Sequence, residues 1–323
     1  MLTTVFGKTA DLLDKRFLVG LLLPSLGFCA TVAALVLIGL GWPGPLRYWT
    51  DLPLPGRWAI AAVIAAAVLL VAVLLGTQVN RLVAFWEGYY WPKWFSRVGA
   101  CVQRRRFNSL GDDDWSEFRR LQHYPSDPST FLPTKLGNVF LAAENYSRER
   151  YGLDSVYLWP RLYLSVPTDV RAILDDARRA VDQLVVIATA AVLSVLAALG
   201  LGLVGWQFDG VTAPSVVWGP AAAVAAAVAF GSYRSAVSAA VGFGDLVRSV
   251  FDLYRGELLA KLGVPAPRTR EIEKQTWEAL GQFLFRGGSS DAGDALIEFA
   301  VRPEEPRSLT VSYKGRSPKS KSS

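Results

Sequence analysis

Apolar residues in this chain are gathered into blocks. Four stretches, at about 17–40, 58–77, 183–206 and 214–238, are nearly free of charge, and polar residues fill the segments between and beyond them. Each supplies roughly 20 mostly apolar residues, enough to cross a ~30 Å hydrocarbon core as a helix. The pattern therefore predicts an all-α integral membrane protein with four transmembrane helices arranged as two hairpins.

The helical period continues past the blocks. Thr168 or Asp169 can cap a helix on which Ile173, Leu174, Ala177 and Val181 keep one face apolar up to the third span. Beyond the fourth, Leu246, Val250, Leu253, Tyr254, Leu258 and Leu262 recur at helical spacing until Gly263 and Pro265 stop the run. A further amphipathic helix covers about 270–286, closed by Gly287 and Gly288. The chain then divides into a first hairpin (1–77), a central segment (78–182), a second hairpin (183–241), further helices (242–287) and a basic tail (288–323). The tail is rich in Ser, Gly and Pro and is expected to be disordered. The helical extensions and the central segment together predict a mostly helical layer beside the membrane.

Charge gives this layer a side. The connection 41–57 holds only Arg47 and Arg57, and 207–213 holds no Lys or Arg. The segment 78–182 carries fifteen basic residues, the chain from 232 onward fourteen, and Lys8, Lys15 and Arg16 precede the first span. The positive-inside rule places both termini and the centre in the cytoplasm. Trp42, Tyr48, Trp49, Trp58 and Trp218 fall at the outer boundary, where amphipathic rings settle. A composition that is 51% hydrophobic agrees with this class. The excess of arginine over lysine points to a GC-rich bacterial genome. Cys29 and Cys101 are too few for a disulfide framework and read as small fillers.

Small residues predict how the spans pack. Gly219, Ala223, Ala227 and Gly231 recur every fourth residue in the fourth span, as do Ala190, Ser194, Ala198 and Gly202 in the third. Such ridges let backbones approach closely, so spans three and four are expected to form a tight hairpin. Arg234 is the ionisable residue within a span, and an antiparallel hairpin makes Asp182 its expected partner.

Candidate chemistry is sparse. Gly200, Gly202 and Gly205 match a dinucleotide-binding pattern, but at the outer end of a span they lack the strand that the mechanism needs. His123 is the single histidine, which leaves no His-based metal cluster, and beside Tyr124 and Pro125 it reads as a loop residue. Asp112, Asp113 and Asp114 read as an acidic helix start. Arg104, Arg105 and Arg106 suit anionic headgroups of the lipid bilayer. Without an aromatic stacking platform they do not point to nucleic acid. No cofactor or metal is expected.

The stretch 131–162 is the densest in purposeful residues. Thr134 can cap a helix through Leu136, Val139, Phe140, Ala143 and Tyr146 that ends at Gly152. Asn138, Glu144, Arg150, Asp154 and Arg161 crowd polar groups among several aromatic rings. They form either a structural polar network beneath the bilayer or a ligand site. The runs LPT-x-LGN (132–138), AAE (142–144), RYGLD (150–154) and WPRL (159–162), with DKRFLVGLLLP (14–24), resemble an uncharacterised family of bacterial four-span membrane proteins. The resemblance covers about residues 10–286 and implies the architecture, without an activity to carry over. The expected function is a scaffold that offers its helical layer to a protein partner or to a second copy. The alternative is an oligomeric channel; a membrane enzyme using Glu144 or Asp154 as a base is a third reading.

Overall fold

The computed structural model describes residues 18–40, 43–111, 113–207 and 218–286. The basic N-terminal flank, Trp42, Asp112, the connection at 208–217 and the tail from 287 onward lie outside the described residues. Within them the chain is all-helical, and four helices are long and apolar enough to cross a membrane.

The first of these, α1 (Leu23–Leu40), follows a π-helical turn at Leu18–Leu22. Pro24 has no N–H to give to the preceding turn, and the buried Ser25 hydroxyl donates to the Leu21 carbonyl at 2.7 Å. A short helix α2 (Pro43–Asp51) leads to α3 (Leu54–Thr77). Arg57 ties the two by donating to the carbonyls of Leu52 and Thr50 at 3.0 and 2.8 Å. The central segment folds as α4 (Val79–Glu87), α5 (Lys93–Asn108), α6 (Asp114–His123), α7 (Lys135–Tyr151) and α8 (Ser155–Ser165). Two very long helices follow, α9 (Thr168–Gln207) and α10 (Trp218–Lys261), and then α11 (Arg270–Arg286). At 1.5 Å per residue α9 and α10 run about 60 and 66 Å, twice the thickness of a hydrocarbon core.

These two helices pack along their length and organise everything else. At the apolar end Leu35, Ala198, Trp218 and Ala222 form a small buried cluster. Midway, Val83, Leu136, Val139, Val181, Val185, Ala236, Val237 and Ala240 join α4 and α7 to the pair. The largest core lies at the polar end, where Leu158 and Leu162 of α8, Val250 and Phe251 of α10 and Trp277 of α11 close on one another. A helical layer with its own hydrophobic core thus grows directly out of the two long helices.

The small-residue ridges divide. On α9, Ala190, Ser194 and Ala198 are buried, and a Cβ on Gly202 would lie 3.3 Å from Trp218. On α10 the expected ridge is turned outward: Gly219, Ala223, Ala227 and Gly231 are exposed, and a Cβ added at Gly219 or Gly231 meets nothing within 4 Å. The face toward α9 is instead Trp218, Ala222, Ala229, Ala236 and Ala240. The reason lies further along the helix. A straight helix can bury only one stripe, and that stripe is in phase with Val247, Val250 and Phe251 of the polar core. Alanine is so frequent in α10 that either face offers a close approach, and the lower half chooses between them.

Candidate functional site

The central motif is a clamp, and each of its residues has a structural task. Pro133 wedges between Gly88 and Gly99; a Cβ on either glycine would come within 2.5 Å of the ring. Gly88 also has φ 99°, the left-handed conformation that ends α4. The Thr134 hydroxyl accepts from the Gly137 amide at 3.0 Å and donates to the Glu87 carbonyl at 2.9 Å, so one side chain caps α7 and joins it to α4. Asn138 is fully buried, donates to the carbonyls of Leu132 and Thr134 and accepts from the Leu132 amide. It closes the turn that leads into α7. Gly152, at φ 73°, ends α7 and lets α11 approach, since a Cβ there would lie 2.6 Å from Lys274.

The five polar residues singled out in this stretch do not form one hydrogen-bonded network among the described residues, although Asp154 lies near enough to act on the Glu144 carboxyl. Asn138 belongs to the clamp. Asp154 caps α8 by accepting from the Val156 amide at 3.0 Å. Arg161 donates to the Tyr157 carbonyl at 2.7 Å, and Arg150 lies over the Tyr146 ring. Glu144 lines a cavity of about 340 Å³ between α4, α7, α8, α9 and α10. Its companions there are Glu87, Tyr89, Trp159 and Arg178. Burial raises the Glu144 carboxyl above its usual range, with Asp154 adding to the effect. Burial also raises Glu87, with Arg178 opposing it and Glu144 reinforcing it. The cavity thus has aromatic walls and two carboxyl groups that burial raises above their usual range.

A different polar network was not legible in the sequence. Asp252 of α10 accepts from the Tyr146 hydroxyl at 3.0 Å and from the Tyr151 hydroxyl at 2.6 Å. Arg255, over the Tyr151 ring at 4.1 Å, donates to Glu273 of α11 at 2.7 Å. These bonds link α7, α10 and α11. Burial and the Asp252 bond push the Tyr146 hydroxyl up to about 12. The one available signal was an aspartate placed beside the apolar stripe of α10, and nothing in the chain tells which tyrosines it meets.

The Arg234–Asp182 pair is replaced by other partners. The Asp182 carboxylate lies 3.1 Å from Nε of Arg178, four residues earlier on α9. That guanidinium rests over Phe140 at 5.1 Å. Arg234 lies over Phe230 at 5.7 Å, on the side of α10 that faces Lys135 and His123. A partner one turn away on the same helix is available in any arrangement of the hairpin, whereas the cross-helix pair needs one particular rotation. Among the described residues no group of three or more His, Cys, Asp or Glu is placed to hold a metal ion. Comparison of the chain with protein-family models, with curated proteins and with solved structures found no match.

Proposed function

We propose that this chain is a multi-pass protein of a bacterial inner membrane, with both termini cytoplasmic, and that it works as a scaffold. The observation that carries this reading is the continuity of α9 and α10. Forty and forty-four residues run without a break from the apolar end into the polar core, so the helical layer is rigidly coupled to the spans. A layer meant to move as a separate unit would be joined by linkers. The layer also leaves apolar side chains uncovered, Leu164 at 71% exposure and Leu253 at 73%. These two side chains are the apolar contacts this reading assigns to a partner. The bilayer holds the apolar halves of the four helices, and the layer presents these residues to a protein partner or to a second copy.

The test is a photo-crosslinking residue placed at Leu164, at Leu253 and, as a control, at the span position Leu193 in intact membranes. Discrete protein adducts at the two layer positions and none at Leu193 support the scaffold. Adducts between copies at Leu193 alone, with a ring-sized mass in detergent, overturn it in favour of a channel.

A further inference from the structure

Arg234 raises a physical question. It lies about 24 Å along α10 from Trp218, so a span beginning there places it about 6 Å inside the far edge of a ~30 Å core, where an arginine can reach the interface. Its side chain opens into a cavity of about 600 Å³ whose lining includes Arg106 of α5, His123 at the end of α6, Lys135 at the start of α7 and Phe230 and Tyr233 of α10. Four helices thus bring three cations and a histidine to one cavity, and among the described residues that line it there is no carboxylate. Asp245, one turn past the cavity on α10, is held by Arg248 at 2.7 Å and by the Gln122 amide at 2.8 Å. Among the described residues Arg106, Lys135 and Arg234 form no ion pair.

The cavity's own potential is positive. Burial first, then Arg106, Arg234 and Arg119, lower Lys135 from its usual value. Burial, then Lys135, Arg119 and Arg248, depress His123 to about 4. The positive end of α7 adds to this, with the Lys135 and Leu136 amides capped by the Tyr233 hydroxyl at 3.2 and 3.4 Å. Like charges converging without a counter-charge cost free energy unless an anion joins them, and guanidinium and ammonium groups suit phosphate oxygens.

Above the cavity, on the same side of α10, runs the outward ridge of Gly219, Ala223, Ala227 and Gly231. It is about 18 Å long, and its Ala227–Gly231 end lies in the half of a ~30 Å core nearest the cavity. Basic pockets at the cytoplasmic end of spans are suited to lipid headgroups. We propose that this cavity binds a phosphate ester, supplied by an anionic phospholipid whose chain lies along the Ala227–Gly231 end of this ridge. The lipid as source rests on the membrane reading above; phosphate binding by the cavity does not.

The experiment uses the full chain purified in detergent, with native mass spectrometry to count retained phosphatidylglycerol against phosphatidylcholine, and a thermal shift with inorganic phosphate. Wild type should retain phosphatidylglycerol selectively. Arg234→Gln and Lys135→Gln should each weaken retention at least tenfold, and Ala227→Phe should weaken it without changing the response to inorganic phosphate. The single histidine gives an independent readout, since bound phosphate should raise the His123 imidazole titration from about 4. Stabilisation by inorganic phosphate without selective lipid retention overturns the lipid and keeps a soluble phosphate ester. Equal lipid retention by wild type and both Gln variants, with His123 unmoved by phosphate, overturns the site itself.

Discussion

Trp277→Ala should lower the unfolding free energy by about 3–5 kcal/mol, the usual cost of emptying the space of a buried indole. Trp277 is the largest fully buried side chain among the described residues and has 0% exposure. It is also a central apolar anchor of α11, which rests too on Leu280 and Leu284, on the Phe285–Tyr157 ring contact, on the close approach at Gly152 and on the Arg255–Glu273 pair. Losing the anchor should free α11 before the rest unfolds. Limited proteolysis should then cut between 263 and 270 in the variant and spare the wild type. Trp277→Phe separates volume from hydrogen bonding. The indole N–H is buried without a partner among the described residues, so phenylalanine keeps most of the packing and removes an unpaired donor. Its melting temperature in detergent should lie much closer to wild type than that of the alanine variant. Equal losses from the two substitutions would mean that the indole nitrogen matters more than the volume.

The second large effect comes from a single methyl group. A Cβ at Gly137 would sit 2.3 Å from the Glu87 carbonyl oxygen, which is backbone and cannot swing aside. Gly137→Ala must therefore lift α7 from α4. Overpacking of this kind costs about 1–3 kcal/mol, and losing the Thr134–Glu87 hydrogen bond adds about 1 kcal/mol. Gly256→Ala is the control, since a Cβ there meets nothing within 4 Å and the helix gains roughly 1 kcal/mol in propensity. Thermal melts in detergent should move down for Gly137→Ala and up, or not at all, for Gly256→Ala. Similar behaviour of the two would remove the clamp from the account.

These two sites mark what the chain discloses by itself. The apolar blocks, the Thr134 and Asp113 caps and the left-handed glycines at 152 and 263 are local, and each follows from residues within one or two turns. The clamp around Pro133 was visible as an unusual run of residues, but its partners Gly88 and Gly99 are far off in sequence. The same is true of Asp252, which joins tyrosines about a hundred residues away. Which ridge of α10 faces α9 depends on the rotation of the whole helix, and that is set by Phe251 and its neighbours at the other end. The basic cavity was invisible for a similar reason. Arg106, His123, Lys135 and Arg234 belong to four helices, and only the packing of α5, α6 and α7 against α10 makes them one group.

The central claim is that the helical layer lies on the cytoplasmic side of a membrane crossed by four helices. It is tested most directly by accessibility in a background with Cys29 and Cys101 replaced by alanine. Single cysteines are introduced at Tyr48 in α2 and at Leu121 in α6, both exposed side chains. Spheroplasts are treated with a membrane-impermeant maleimide before and after permeabilisation. The account predicts that Tyr48→Cys is labelled in intact spheroplasts and Leu121→Cys only once they are opened. Labelling of Leu121→Cys from outside would contradict it.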